Sequence, residues 1–488
     1  MIAEQSKEAG TMPLATEKDV QWTRAILVVA FVLRLIAATV WQYDCNQRGD
    51  PLRFGDSHSY WIIASNVVRN GEYQFGSDQS KIFRAPLYPL FLTPFAAIEQ
   101  ILFPHMPGDR ARALAVLLAR YAGCILGTFT VWMIMSWTRE VAGVLAARVA
   151  GLLGASYCGA VGMSIFVLSE AIATPLFIAS VWCSALAMQR INRSNVRKVG
   201  LTIATSGACL GLACLTRPSW GLWPVIAGPC FAFASVRWSE ASAKKVCFAG
   251  LIFLGSLLLI MAPWWVRNYS ITRKFVPTTL QVGASLYDGW HPNASGSSDE
   301  NMAFSIKFMQ EQMDEDAMLA TQGVPLDSTL EWRIDHRLQK AAWTWARENP
   351  SDVLKLGLVK FRKTWTPIPV ASELSNRWVR AWEGGTYISI VLLSMIGLFD
   401  LIKMRERLAI GLWMALPCFY LAVLHMVFIG SVRYRQPGIL LLCGLAGIGC
   451  VTILSIAGPS IAGRNARKRS ESQRIDAERS SDQQQKNG

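Results

Sequence analysis

Residues 54–91 read FGDSHSYWIIASNVVRNGEYQFGSDQSKIFRAPLYPLF. The stretch sets an acid (Asp56), a histidine (His58), several aromatic rings and the cluster Arg84-Ala85-Pro86-Leu87-Tyr88-Pro89 just after the first long apolar run of the chain. Polar sequence wedged between apolar segments reads as a site at a membrane surface.

Outward from it, apolar runs of the roughly 20 residues that a bilayer demands lie near 25–41, 113–136, 141–162, 170–188, 199–215, 219–236, 246–266, 384–402, 408–428 and 437–457. With 52% hydrophobic and only 17% charged residues, the 488-residue chain is too apolar for an ordinary soluble protein. The expected fold class is an all-α polytopic membrane protein of about ten transmembrane helices, each of spanning length, with a small mixed domain on the outer side.

A formal charge of +14 would suit a nucleic-acid partner. The basic residues instead crowd into short connections: Arg190, Arg193, Arg197 and Lys198; Arg237, Lys244 and Lys245; Lys403, Arg405 and Arg407. The positive-inside rule explains that placement, puts both termini in the cytoplasm, and removes nucleic acid as a partner. Of the eleven cysteines, all but Cys45 lie in or beside apolar runs, where a thiol behaves as a small hydrophobe. No cleavable signal peptide is evident.

The domain plan follows. Residues 1–24 form a cytoplasmic leader, 25–266 a transmembrane catalytic module with an outer loop at 42–112, and 267–383 a second outer domain. Three further spans occupy 384–458, and 459–488 is a charged cytoplasmic tail expected to be disordered. In the first outer loop, 57–70 reads as an amphipathic helix and 86–103 as an interfacial segment. The second outer domain opens with extended, turn-rich sequence and continues with helices near 303–321, 328–348 and 351–365. The last is basic and amphipathic, suited to lying on lipid or to packing on the outer domain.

Basic residues on the outer side need another reason to be there. Arg217, Arg267, Arg433 and Arg435 all fall at outer helix ends, and with Arg84 they could converge on one anion, for which guanidinium geometry suits phosphate. Interfacial snorkelling is the plainer alternative for each. Asp56 can act as a general base in a membrane-facing cleft, or simply cap the helix that follows. Glu170, at an outer helix start, is the second acid, with favourable placement at a helix N-terminus as its plainer role. Arg34, mid-span, needs a partner or a wet cavity. The five histidines show no metal-ligand spacing, and no P-loop or G-x-S-x-G motif is present.

FGDSHSYW, RAPLYPLFL, FVLSEA, LTRP, PWWVRNY and RYRQP, in that order along the chain, resemble the GT-C membrane glycosyltransferases, in the branch of the lipid A aminoarabinose transferases and protein O-mannosyltransferases. The resemblance implies transfer of a sugar from a polyprenyl-phosphate donor to a lipid, glycan or protein acceptor on the periplasmic face of a bacterial inner membrane. It implies Asp56 and Glu170 as catalytic acids. Arg84, Tyr88, Arg217, Arg267, Arg433 and Arg435 would bind the donor phosphate, and His58, Tyr60 and Arg34 would complete the pocket. Ser57 and His58 follow Asp56 where some relatives carry a second acid, so no cofactor is required and a divalent metal would be held only weakly. A lipid-linked saccharide flippase and an O-antigen ligase or polymerase are the competing readings.

Overall fold

The computed structural model describes residues 16–76, 80–102, 108–192, 195–299, 303–369, 376–402 and 405–457. The tail at 459–488 and most of the leader lie outside the described residues. The first helix, α1 (Glu17–Gln47), begins inside the span assigned to the leader, because Thr16 and Asp19 form a reciprocal capping box there.

Among the described residues, nine helices are long and apolar enough to cross a membrane. One of them, α4 (Gly108–Ser156), is folded in two. Gly143 has φ 86° and ψ −175°, a conformation open to glycine alone, and beyond it Gly151 lies hard against the Met135 side chain. Residues that far apart meet only if the chain reverses at Gly143. The runs expected at 113–136 and 141–162 therefore lie on the two arms of a hairpin, the second of which breaks at Tyr157 before α5. After the second arm come α5 (Cys158–Ile165), α6 (Glu170–Arg190), α7 (Val196–Thr216), α8 (Trp223–Ser239) and α9 (Ala243–Thr272).

The first outer loop holds α2 (Gly55–Asn70) and α3 (Leu87–Ala97), the latter continued by a π turn to Leu102 and too short to span. Tyr60, Trp61 and Ala64 of α2 and Tyr88, Leu92 and Ala96 of α3 form one cluster with Ala115, Ala119, Val167 and Ala171. That cluster fastens the loop onto the ends of α4 and α6.

The second outer region contains α10 (Val282–Gly289), α11 (Ala303–Thr321), α12 (Leu330–Glu348) and α13 (Pro350–Trp365). It has no strand among the described residues, so the expected mixed domain is corrected to a helical one; the turn-rich opening closes into α10 rather than into a sheet. α13 buries Gly357, Lys360 and Thr364 and leaves Leu354, Leu358 and Phe361 exposed. α14 (Arg377–Ile402), α15 (Arg405–Val427) and α16 (Val432–Ala457) complete the bundle. Its main core joins Trp137, Phe177, Trp220, Trp223, Trp413 and Tyr420 between α4, α6, α8 and α15.

Both outer regions sit at one end and touch: the Leu280 amide donates to the Ile82 carbonyl at 3.0 Å. The other end gathers the basic connections, with Arg148 on Asp19 at 2.7 Å and Lys245 on Asn192 at 2.9 Å.

Candidate active site

Four helix ends and one loop meet at the outer end of the bundle. Asp56 and Glu170 lie in the first turns of α2 and α6, where unpaired backbone amides favour a carboxylate. Arg217 is the residue at which α7 stops before Pro218, and Arg433 opens α16. Arg84 comes from the loop between α2 and α3.

These five side chains form one network. Arg84 Nη2 donates to Asp56 Oδ1 at 2.7 Å and Arg433 Nη1 to Asp56 Oδ2 at 2.8 Å. Arg433 forks onto Glu170 with Nε and with Nη2, the latter at 3.0 Å to Oε2. Arg217 Nη1 donates to Glu170 Oε1 at 2.5 Å. Glu170 is sealed, its side chain 3% exposed, while that of Asp56 is 33% exposed. Burial pushes the Asp56 carboxyl up, but Arg84, Arg433 and, from farther off, Arg217 override it and hold it well below the usual carboxylate range. Burial pulls Arg84 down in turn, and the Asp56 carboxylate more than restores it.

Aromatic faces support the guanidiniums. Tyr60 lies 4.9 Å beneath Arg84 and packs edge-on against Tyr88, and Tyr434 lies 4.8 Å from Arg217. A narrow cleft lined by Glu170, Thr174, Arg217, Trp220, His425 and Arg433 opens beside the network, and a second shares Glu170 and Thr174 and reaches Arg34.

The other residues singled out from the sequence stand elsewhere. Arg435 is fully buried, bonded to the Thr364 and Thr366 carbonyls and to Glu383 at 3.3 Å. Residues two apart on a helix point to different sides, so it cannot join Arg433. Arg267 donates to the carbonyls of Lys81 (3.2 Å) and Tyr73 (3.1 Å), holding the loop that carries Arg84. His58 pairs with Asp50 at 3.0 Å, away from Asp56. Arg34 finds carbonyls instead of an acid, donating to Ala30, Gly154 and Ala155 and to Ser164 Oγ, at the break before α5.

Three contributors were not singled out. Ser59 accepts from Arg84 Nε at 2.9 Å, and its helical spacing from Asp56 is a usable signal. Tyr434 stands between the two flagged arginines. Gln281 accepts from Arg84 Nη1 at 2.8 Å across 197 residues of chain, for which the sequence holds no signal. No cluster of His, Cys, Asp and Glu fit to hold a metal occurs among the described residues.

The structure is similar to that of the archaeal oligosaccharyltransferase AglB from Archaeoglobus fulgidus in complex with an inhibitory peptide and a dolichol-phosphate. The TM-score is 0.53 at 14% identity, covering 92% of this chain and 52% of that one. The oligosaccharyltransferase of the same organism in the apo form gives 0.54 at 14% identity, covering 91% and 52%. ArnT from Cupriavidus metallidurans bound to undecaprenyl phosphate aligns over 88% of this chain and 80% of its own at 15% identity, with a TM-score of 0.36 too low to carry weight. No family model and no curated protein sequence matches. The chain thus shares the fold of the Archaeoglobus oligosaccharyltransferase, built on helices long and apolar enough to cross a membrane. It spans about half the length of the archaeal enzyme it aligns with.

Proposed function

We propose that the chain is an inverting glycosyltransferase that moves a sugar from a polyprenyl-phosphate donor to a hydroxyl of a lipid, glycan or protein acceptor, at the periplasmic face of a bacterial inner membrane. The observation that carries this reading is the network itself. Two carboxylates hold three guanidiniums, two at helix ends and Arg84 on a loop, leaving one positive charge over. A phosphodiester with a single negative charge matches that excess, and guanidiniums present the fork that phosphate oxygens take up.

The proposed order of events rests on the same contacts. Arg84 and Arg433 occupy both oxygens of Asp56, and a carboxylate so held is a poor base. A phosphate competing for those guanidiniums draws them off, and the proton affinity of Asp56 rises as their field weakens. Asp56 then accepts the acceptor's hydroxyl proton while that oxygen attacks the anomeric carbon from the face opposite the phosphate. The bond from the anomeric carbon to the phosphate oxygen breaks, its electron pair leaves with polyprenyl phosphate, and the configuration inverts. The arginines meet the charge that grows on the leaving phosphate. No cofactor enters this scheme, and nucleotide need not reach the outer face. Basic connections at the opposite end support a cytoplasmic location for that end.

The test is sugar transfer by the purified protein in nanodiscs, with a panel of radiolabelled polyprenyl-phosphate sugars and membrane lipid extract as the acceptor source, run for wild type and Asp56→Asn with and without EDTA. Transfer by wild type that collapses in the Asn variant and ignores EDTA supports the reading. If every donor stays intact, or the Asn variant matches wild type, the assignment fails and translocation of lipid-linked saccharide is the next assay.

A further inference from the structure

The loop carrying Arg84 has no secondary structure of its own between Lys81 and Ala85, yet its polar backbone groups are taken up from several directions. The strongest hold comes from α12, far along the chain. Glu331 Oε2 accepts from the amides of Lys81 and Ile82, both at 3.0 Å, and Oε1 accepts from Ile82 at 3.3 Å. The Ile82 carbonyl takes the Leu280 amide, the Lys81 carbonyl takes Arg267, and the Tyr73 hydroxyl donates to the carbonyls of Arg84 (2.9 Å) and Ala85 (3.1 Å).

One helical turn on, Asp335 of the same helix accepts from the Gly283 amide at 2.6 Å. That contact fixes the start of α10, two residues from Gln281, whose side chain receives Arg84 Nη1. Two carboxylates on one face of α12 therefore fix both the backbone bearing Arg84 and the amide that receives its guanidinium. Asp335 is buried and Glu331 partly so, and carboxylates withdrawn from water are costly to keep for packing alone.

We infer that Glu331 is a positioning residue: through the Lys81 and Ile82 amides it aims the Arg84 guanidinium between Asp56 and the donor phosphate, and so couples the second outer region to the reacting centre. The inference rests on the reading of Arg84 as a phosphate-binding group. Misplacing a charged group by about 1 Å costs up to a hundredfold in rate, whereas the charge of Arg84 survives any change at Glu331. The loss from Glu331→Ala is therefore expected in kcat, tenfold or more, with the donor KM changed far less. Burial pushes the Glu331 carboxyl up to about 7 against the pull of the two amides, so the uncharged carboxamide of Gln is a close stand-in. Glu331→Gln keeps an acceptor for both amides and is expected within about threefold of wild type, since only the weaker third contact is lost.

The deciding experiment is a double-mutant cycle with Arg84→Ala, alongside amide hydrogen exchange at Lys81 and Ile82. If Glu331 acts through Arg84, Glu331→Ala costs nothing further in the Arg84→Ala background, and both amides are protected in wild type and Glu331→Gln but not in Glu331→Ala. Equal losses in both backgrounds, or a wild-type kcat for Glu331→Ala, would overturn the proposal. Should Glu331→Ala fail to fold, exchange in the intact protein still decides: amides that exchange in wild type at the rate of an open loop mean there is no latch. Exchange is read without turnover, so a failure of the transferase reading is told apart from a failure of this one.

Discussion

Arg433 and Arg435 stand two residues apart on α16 and do opposite things with the same guanidinium. Arg433 lies across two carboxylates in a network that opens to solvent through Asp56 and has one positive charge in excess. Arg435 is closed away with one acid, Glu383, two backbone carbonyls and the Tyr387 ring 3.7 Å from its centre. Gln436 and Tyr157 complete that second cluster. In the first, an incoming anion can exchange for a carboxylate. In the second, nothing can enter, and the pair ties α13, α14 and α16 together. Exposure and charge balance separate an exchangeable site from a structural joint where residue type does not.

The largest effect should come from the open cluster. Asp56→Asn is expected to lower kcat by roughly a hundred- to ten-thousandfold, the range for loss of a positioned base, and to lower the melting temperature near neutral pH because the ion pairs with Arg84 and Arg433 are lost, as measured by transfer assay and thermal unfolding. The closed cluster should respond in stability instead. Arg435→Met strands Glu383 and is expected to cost about 3–5 kcal/mol, whereas a further Glu383→Met should recover most of it, since an apolar pair replaces a buried ion pair at little cost. Full activity lost in the double variant despite a recovered melting temperature would break the comparison.

Arg433→Lys keeps the charge and loses the fork. About a tenfold to hundredfold fall in kcat is expected from loss of well-placed donors, with a melting temperature close to wild type. Gly430 approaches the Lys360 backbone so closely that a Cβ would collide with it. Gly430→Ala should therefore displace the turn before Arg433, at about 1–3 kcal/mol of stability, and lower the transfer rate less than Arg433→Lys does.

The smallest effects concern pH. A carboxyl held below its unfolded value adds stability that is present above the usual carboxylate pKa and lost only as pH falls through the depressed one. Between about pH 5 and 8, above the ordinary Asp value, Asp56 should contribute no slope to thermal stability, and its contribution should vanish in stronger acid; Asp56→Asn removes that acid limb. Glu331 works in the other direction. Its value is raised to about 7, with Asp335 on the same helix opposing its charge and Arg267 favouring it. Its contribution is thus fullest in acid and falls as pH rises through about 7, a slope that Glu331→Gln should flatten in melts taken across that window.

Much of this was legible in the chain. Spans of bilayer length, basic connections and outer arginines follow from local composition, because lipid and water sort residues without reference to partners. Asp56, Glu170, Arg84, Arg217 and Arg433 could be singled out since a charge at an outer helix end calls for a reason of its own. The sequence could not show which arginines share one network with Asp56 and Glu170. Arg435 looked equal to Arg433, and Arg267 equal to Arg217, until helix phase turned Arg435 away and the Lys81 and Tyr73 carbonyls took up Arg267. Gln281 and Glu331 carried no signal, being ordinary polar residues whose partners are brought near only by the packing of two outer regions. Local chemistry determined which side chains belong at the membrane's outer edge; tertiary contacts decided which of them meet, because a guanidinium acquires a role only from the groups within hydrogen-bond reach.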